Sequence, residues 1–562
     1  MFTRRDFFTL AAATATLLGD AGRAARGAIR QEITQDDLLR FDPLGQVTLL
    51  HITDIHAQLV PLYFREPSVN LGVGEVHGLP PHITGQDFLR RFAIPAPSPD
   101  AYALTSVDFA ALAKNYGRVG GLDRLATLVK AIRAQRPANT LFLDSGDTWQ
   151  GSYTSLETQG ADMVQAMNAM ATDAMTAHWE FTYGTERVQE LLEQLEFPFL
   201  AGNVRDTEWD EPVFDGIAYF ERGGVKIGVV GQAFPYTPVA NPRYKIPTWS
   251  FGIQENRVRE LVEEARAEGA ELVVLLSHNG FDVDRKLAGR VDGIDVILTG
   301  HTHDALPVAL EENGTLLIAS GSHGKFLSRL DLDVRNGKVA NYRYRLIPVF
   351  ADAIKPDPEI AALIKEIRAP HESTLSKVLG KTESLLYRRG NFNGTFDDLI
   401  CNALIEERDA EIALSPGFRW GASLLPGQEI TLEDVYNQTS ITYPAAYRTE
   451  FTGDFLKVVL EDVADNLFNP DPYYQQGGDM VRVGGMSYAI DPSAKMGQRI
   501  SDMRLLKTGD PIDPAKNYVV AGWASVNEGT DGPPIWDVVS KHISQKQVIA
   551  IPENKNIRVV GG

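Results

Sequence analysis

Gly300-His301-Thr302-His303 stands directly behind the apolar run Val296-Ile297-Leu298. Two imidazoles two residues apart at the end of a buried strand point into the crevice where open α/β sheets hold their ligands, and they look like half of a metal site. The arrangement recurs along the chain. Asp54 and His56 follow Val47-Thr48-Leu49-Leu50-His51-Ile52, Asp147 follows Leu141-Phe142-Leu143 in Asp144-Ser145-Gly146-Asp147, and His278 follows Val273-Val274-Leu275-Leu276. His178 and Asn203 come after two further segments, the second being Phe197-Pro198-Phe199-Leu200-Ala201. His and Asp in combination suit borderline to hard divalent ions such as Mn, Zn or Fe. A lone histidine behind a strand is more often a hydrogen-bonded structural residue, so the weight lies in the repetition. His51, His77, His82, His323, His371 and His542 read as structural or surface residues, His51 because strand alternation turns it away from Asp54.

Short apolar strands alternating with helical patterns, from residue 46 to about 350, must position these groups, and they predict a layered α/β domain. Helices are expected over 120–135, 160–170, 185–195 and 254–268. Between residues 59 and 117 the periodicity fails in a Pro- and Gly-rich stretch, read as a lid or docking surface beside Asp54 and His56. Pro356-Asp357-Pro358-Glu359 opens a connector helix over 359–376 with Asp357 as its cap. The mixed region beyond it has no His/Asp cluster and should shape or recognise substrate. The expected organisation is therefore a metal-bearing domain over 29–350 with its insertion at about 59–117, a linker over 351–376, and a C-terminal domain over 377–562.

A chain of 562 residues exceeds one hydrophobic core. Its formal net charge of −20 argues against nucleic acid or an anionic membrane as the main partner. Cys401 is the single cysteine, so neither an intramolecular disulfide nor a thiolate metal cluster can form, and its apolar-periodic surroundings fit packing as a small hydrophobe. Thr3-Arg4-Arg5-Asp6-Phe7-Phe8 precedes an apolar stretch over 10–19 and an Ala/Gly/Arg-rich segment over 21–28. That is a twin-arginine export pattern, expected over residues 1–28 and directing a folded, metal-loaded protein to the periplasm.

Asp54-Ile55-His56, Gly146-Asp147, Ser277-His278-Asn279-Gly280 and Gly300-His301-Thr302-His303 resemble the dimetal calcineurin-like phosphoesterases, and the domain order with Gly529-Thr530-Asp531-Gly532 resembles the 5′-nucleotidases among them. The resemblance implies a four-layer α/β/β/α metallophosphoesterase domain with a smaller α+β 5′-nucleotidase-type C-terminal domain. It also implies that Asp54, His56 and His303 hold one metal and His178, His278 and His301 the other. Asp147 would bridge them and hold the metal-bridging hydroxide that attacks in two-metal hydrolysis.

The departures from the nucleotidases narrow the substrate. Where that family carries Gly-Asn-His-Glu-Phe-Asp, this chain reads Ala177-His178-Trp179-Glu180-Phe181-Thr182. The metal-binding Asn has become His178, the catalytic His has become Trp179, and the Asp that orients it has become Thr182. The nucleoside-binding Asn-Gly-Gly-Gly-Ile-Arg is here Ser415-Pro416-Gly417-Phe418-Arg419-Trp420, and the aromatics that sandwich a base fall near Ile441 and Ser525. With the export signal and the insertion, this combination resembles the SoxB family, the dimanganese thiosulfohydrolases of the periplasmic Sox thiosulfate-oxidising system. The resemblance implies two manganese ions and a SoxYZ-type sulfur carrier whose modified cysteine loses sulfate. For the substrate it points to Trp179 as an apolar wall, with core packing as its other reading. It points to Arg419 for the sulfonate oxygens, with a surface ion pair as the other reading, and to Asn203 as a site-orienting or turn-capping residue. The alternatives are a periplasmic 5′-nucleotidase or cyclic phosphodiesterase, and a metal-bearing protein that captures a sulfur carrier without turnover.

Overall fold

Strands buried on both faces read as continuous apolar runs, and such runs build the centre of this molecule. The computed structural model describes residues 33–561, and the export signal expected over 1–28 lies outside them. Val47–Ile52 (β1), Thr140–Asp144 (β2) and Ala174–Met175 (β3) run parallel in one sheet. A second sheet takes Ile217–Arg222 (β4), Val225–Gln232 (β5), Leu272–Ser277 (β6), Val296–Thr299 (β7), Leu310–Glu312 (β8) and Thr315–Ala319 (β9). The chain then returns to the first sheet as a long hairpin, Phe326–Arg335 (β10) and Lys338–Pro348 (β11). The orders are β11-β10-β1-β2-β3 and β8-β9-β7-β6-β5-β4.

Alternate residues of each central strand serve two different cores. Val47 and Leu49, Leu141 and Leu143, Val274 and Leu276, and Val296 and Leu298 fill the layer between the sheets. Leu50, Ile52, Phe142, Leu275 and Ile297 face the other way, toward helices. Leu122–Gln135 (α1), Ala161–Ala169 (α2), Thr185–Leu192 (α3), Glu255–Ala267 (α4) and Phe281–Ala288 (α5) supply that outer packing. The four layers expected of a metallophosphoesterase domain result, with four of these helices within a few residues of their expected bounds.

The connector helix differs from its expected single span. Pro358–Arg368 (α6) starts under the Asp357 cap, whose carboxylate accepts the Ile360 N–H at 3.1 Å, and it breaks before Pro370, which has no N–H to continue the ladder. Beyond it, Ile412–Ser415 (β12), Tyr447–Thr452 (β13), Arg482–Gly484 (β14) and Asn517–Gly522 (β15) form a mixed sheet in the order β13-β15-β12-β14. Thr395–Arg408 (α7) and Ile535–Lys546 (α8) pack together in a separate core that contains the buried Cys401.

The segment over 59–117 is not the structureless loop its composition suggests. It holds helices Gly85–Arg91, Pro99–Leu104 and Phe109–Tyr116, each too short to reveal a 3.6-residue period; in the middle one Pro99 sits at the first position behind a Ser98 cap. Its strand Tyr63–Phe64 pairs antiparallel with Ala422–Ser423 of the C-terminal region. Leu71 donates its N–H to Asn391 at 2.6 Å, so the insertion bridges the two halves beside the strand ends.

Candidate metal centre

The loops behind β1 and β2 zip together before any side chain is considered. Asp54 donates its N–H to the Gly146 carbonyl and His56 donates to the Asp147 carbonyl, both at 2.8 Å. To turn ligands inward over so short a span, the backbone enters the left-handed region at Asp54, His56, Asp147, His301 and His303, with φ of 52°, 50°, 58°, 75° and 57°. Each such non-glycine residue costs on the order of 1 kcal/mol, a strain characteristic of sites over-determined by their surroundings.

The structure brings the seven predicted residues into two nests that share one carboxylate. Asp54, His56, Asp147 and His303 form one, Asp147, His178, His278 and His301 the other, and within each nest the ligand atoms lie within 4.8 Å of one another. Asp147 Oδ2 stands 3.2 Å from His178 Nδ1, 3.2 Å from His278 Nε2 and 3.7 Å from His56 Nε2. His303 Nε2 lies 3.1 Å from both Asp54 Oδ1 and His56 Nε2. All seven residues are buried, and His178 Nε2 has no hydrogen-bond partner among the described residues. Nitrogen and carboxylate atoms so crowded and so dry fit a pair of divalent cations better than they fit one another.

Outer contacts orient the rings as metal-bound histidines require, one ring nitrogen held by a carbonyl and the other left for the ion. His56 Nδ1 pairs with the Gln150 carbonyl at 3.2 Å and His278 Nδ1 with the Ser145 carbonyl at 2.5 Å. The other two carbonyls come from the C-terminal half: His303 Nδ1 meets Arg419 O at 3.0 Å and His301 Nε2 meets Gln476 O at 3.2 Å. The strap that carries Gln476 passes so close that a Cβ at Gly477, where φ is +73°, would stand 2.1 Å from His301 Nε2.

Charge follows the same plan. Burial alone would raise the Asp147 carboxyl, but His178, His278 and His56 outweigh it and hold it well below the ordinary carboxylate range. Burial drives the His301 and His303 imidazoles well below their usual values, and neighbouring histidines and Arg419 add to the effect. An ionised bridging carboxylate and neutral imidazoles at His301 and His303 are the ligand forms a metal needs, whereas at His278 burial is outweighed by Asp147 and Asp54, which raise it to about 9, so an ion bound there would displace its proton.

Glu180, which the strand-end argument passed over, fixes this geometry. Its Oε2 accepts from His178 N at 2.7 Å and Asp147 N at 3.2 Å, and its Oε1 accepts from Thr148 N at 2.6 Å and Trp149 N at 3.2 Å. One buried carboxylate thus staples the Asp147 loop to the His178 loop. His323, read as structural or surface, packs against His56 and His303 at ring-centroid distances of 5.2 and 5.9 Å. Its position is legible only once the fold brings the end of β9 beside that of β1. His51, as expected, points away, its ring held between Ser320 and Ser145.

The three residues expected to meet substrate occupy different settings. Trp179 follows His178 directly and stacks on Tyr443 at 6.3 Å and 9°, with Phe418 edge-on at 5.2 Å. Aromatics are therefore not missing from this region: Tyr443 and Trp523 stand two residues from Ile441 and Ser525, but both are buried among other rings. Arg419 reaches over the site, donating to the His301 carbonyl at 3.2 Å and to the Gly478 carbonyl, with Asp479 at 3.7 Å. Arg389 beside it donates to the His303 carbonyl at 3.1 Å. Asn203 spends its amide on the Ala233 N–H and on the Ala233 and Gly252 carbonyls, so it acts on the site through Phe234, whose ring lies 4.1 Å from His178 and 4.0 Å from His301.

Known proteins share this fold. The calcineurin-like phosphoesterase family matches residues 47–305 and the 5′-nucleotidase C-terminal domain family matches residues 378–540. The 5′-nucleotidase of Rattus norvegicus is 26% identical over 481 residues, 77% of this chain and 82% of that protein. The structure of the sulfate thiohydrolase SoxB from Thermus thermophilus superposes with a TM-score of 0.90 at 37% identity, covering 93% of this chain and 98% of that one. A 5′-nucleotidase precursor, also from Thermus thermophilus, shares the fold with a TM-score of 0.73 at 21% identity over 92% of this chain and 100% of that one.

Proposed function

We propose that this chain, which belongs to the SoxB family within the calcineurin-like phosphoesterases that carry a 5′-nucleotidase C-terminal domain, hydrolyses the terminal sulfonate from a cysteine S-thiosulfonate on a SoxYZ-type sulfur-carrier protein, releasing sulfate. The seven Asp and His residues would hold two divalent ions, manganese by family likeness, with Asp147 shared between the nests. Bound there, such ions would supply a hydroxide nucleophile at neutral pH and neutralise the charge that grows on a tetrahedral oxyanion. Arg419 adds positive charge over His301, where a sulfonate would lie.

The observation that carries the reading is Trp179. Where a nucleotidase places an acid beside the metals, this chain places an indole buried against Tyr443 and Phe418. An apolar wall suits a polarisable sulfur chain, and a persulfide leaves as a more stable anion than an alkoxide, with less demand on an acid. The nucleotidase alternative would need a purine between aromatic faces, and Tyr443 already has Trp179 on one of its own. The amino-terminal pattern supports twin-arginine export to the periplasm, where the carrier would thread its modified cysteine into the cleft between the halves.

Sulfate release by the manganese-loaded protein from a carrier bearing a cysteine S-thiosulfonate, with AMP hydrolysis run in parallel, tests the proposal. The expected result is sulfate release that disappears in His178→Ala, with AMP untouched. Rapid AMP hydrolysis without sulfate would overturn it.

A further inference from the structure

Arg419 is the outer end of a row of buried charges. Arg388 Nε meets Asp397 Oδ1 at 2.6 Å, Arg482 Nε faces Asp397 Oδ2 at 3.3 Å, and Arg482 Nη2 meets Asp479 Oδ2 at 3.0 Å. The other oxygen of Asp479 lies 3.7 Å from Arg419 Nε and accepts from Asn391 at 3.2 Å. Backbone fixes this last link as well. Asp479 donates its N–H to the Gly417 carbonyl at 2.9 Å, and a Cβ at Gly417 would stand 2.2 Å from the Asp479 carbonyl oxygen. The four inner side chains are all but sealed, whereas Arg419 keeps 13% of its side chain exposed where it lines a cleft of about 540 Å³ beside His301.

Three guanidinium groups against two carboxylates leave one positive charge, and the row meets solvent at Arg419. Asp398 lies outside the row, its carboxylate held by the amides of Asn393 and Asn554, and Arg389 and Asp304 face Arg419 as one charge of each sign. Among the described residues the cleft is lined by no other arginine or lysine, and Asp282 there pairs with His82 at 2.7 Å. Positive charge at the cleft is thus confined to a single guanidinium, and Asp479 keeps the surplus behind it at one rather than two. On the sulfonate-hydrolase reading, on which this inference rests, the reacting group carries one negative charge as a terminal sulfonate and two as sulfate. We propose that Asp479 is a specificity-determining residue: by partly neutralising Arg419, it lets the cleft retain the monoanionic substrate group and release the dianionic product. Asp479 touches neither anion and acts through Arg419. An added positive charge would strengthen the hold on sulfate twice as much as the hold on the sulfonate, since attraction scales with the charge of the ligand.

Titration calorimetry on the manganese-loaded protein, with metal content matched across variants, tests this by comparing methanesulfonate, which carries one charge, with sulfate, which carries two on a similar tetrahedral group. Asp479→Asn raises the surplus in the row to two, and Arg482→Met lowers it to zero. The expected result is that affinity for sulfate relative to methanesulfonate rises about 10-fold in Asp479→Asn and falls about 10-fold in Arg482→Met, the step for one unit charge at roughly 10 Å in a medium of effective dielectric about 20. Asp479→Glu keeps the wild-type ratio, and so does the double variant Asp479→Asn/Arg482→Met, in which the surplus returns to one. Inhibition of turnover by sulfate follows the same order. The two single variants bracket wild type, so loss of either to misfolding leaves the other and the double variant to decide. Ratios that do not move, or that move the same way in both single variants as loosened packing would make them, would overturn the proposal. Absence of sulfate release from the carrier by wild type, with the calorimetric ratios shifting as expected, would count against the substrate reading alone.

Discussion

Glu180 decides how well two loops far apart in sequence hold their ligands. Its carboxylate has four backbone N–H partners and no counter-ion within hydrogen-bonding reach among the described residues. In Glu180→Gln one oxygen becomes an NH₂ group facing two N–H donors, which should cost on the order of 3 kcal/mol in stability. Metal affinity should fall about 10–100-fold, as is usual when a contact behind the ligands is lost. Competition with a fluorescent chelator reads the affinity and thermal melting reads the stability; an unchanged affinity would mean that His178 and Asp147 are held by their own packing. Six of the seven ligands were legible because each follows an apolar run that can only be a buried strand, whereas His178, behind the two-residue β3, rested on the family resemblance. Glu180 was not legible, because its work is done on backbone N–H groups, and a sequence does not show which of those face one another. The carbonyls of Arg419 and Gln476 that orient His303 and His301 are invisible for the same reason.

The strap over 471–479 is the element that ties the C-terminal half to the second nest. Tyr473 donates its hydroxyl to Glu255 Oε2 at 2.9 Å, and Asp471 pairs with Lys286 at 2.5 Å. Arg290, Tyr473 and Arg259 hold Glu255 below the carboxylate range, at about 2, against the pull of burial. Its folded value lies under its unfolded one, so its stabilisation is complete above about pH 4.5 and is lost as pH falls toward 2. Acid unfolding followed by circular dichroism should therefore show a shallower loss between those limits in Glu255→Gln than in wild type. Gly477→Ala should displace His301, because its Cβ has no room beside Nε2, and should weaken one of two metal equivalents about 10-fold or more; two equivalents bound as in wild type would show that the strap yields. The composition of the insertion concealed its helices since each spans only two turns, whereas α1 and α4 run long enough for their apolar faces to declare themselves. The pairing of Trp179 with Tyr443 joins positions more than 250 residues apart, a distance over which no local pattern carries information.

At the scale of the whole molecule, metal and domain contact are one equilibrium. His303 and His301 each use one ring nitrogen on a carbonyl of the C-terminal half while the other faces a nest. Removing metal by chelation should lower the melting temperature, and re-addition at a hundred times the dissociation constant should restore about 2.7 kcal/mol per site. Amide exchange over 476–479 should quicken in the stripped protein; protection unchanged by metal would show the halves to be joined independently of the site. The lone cysteine on α7 bears on the same chemistry from a distance. Sulfane sulfur hops between thiolates, and in the proposed reaction an accessible thiol on the catalyst would compete with the carrier for it. Cys401 is sealed in the C-terminal core, and burial pushes its thiol well above its ordinary value. The native protein should leave a disulfide-exchange reagent unconsumed, and the unfolded chain should consume one equivalent. On the proposed reaction, such a catalyst would handle a reactive persulfide turnover after turnover without becoming a sulfur acceptor itself.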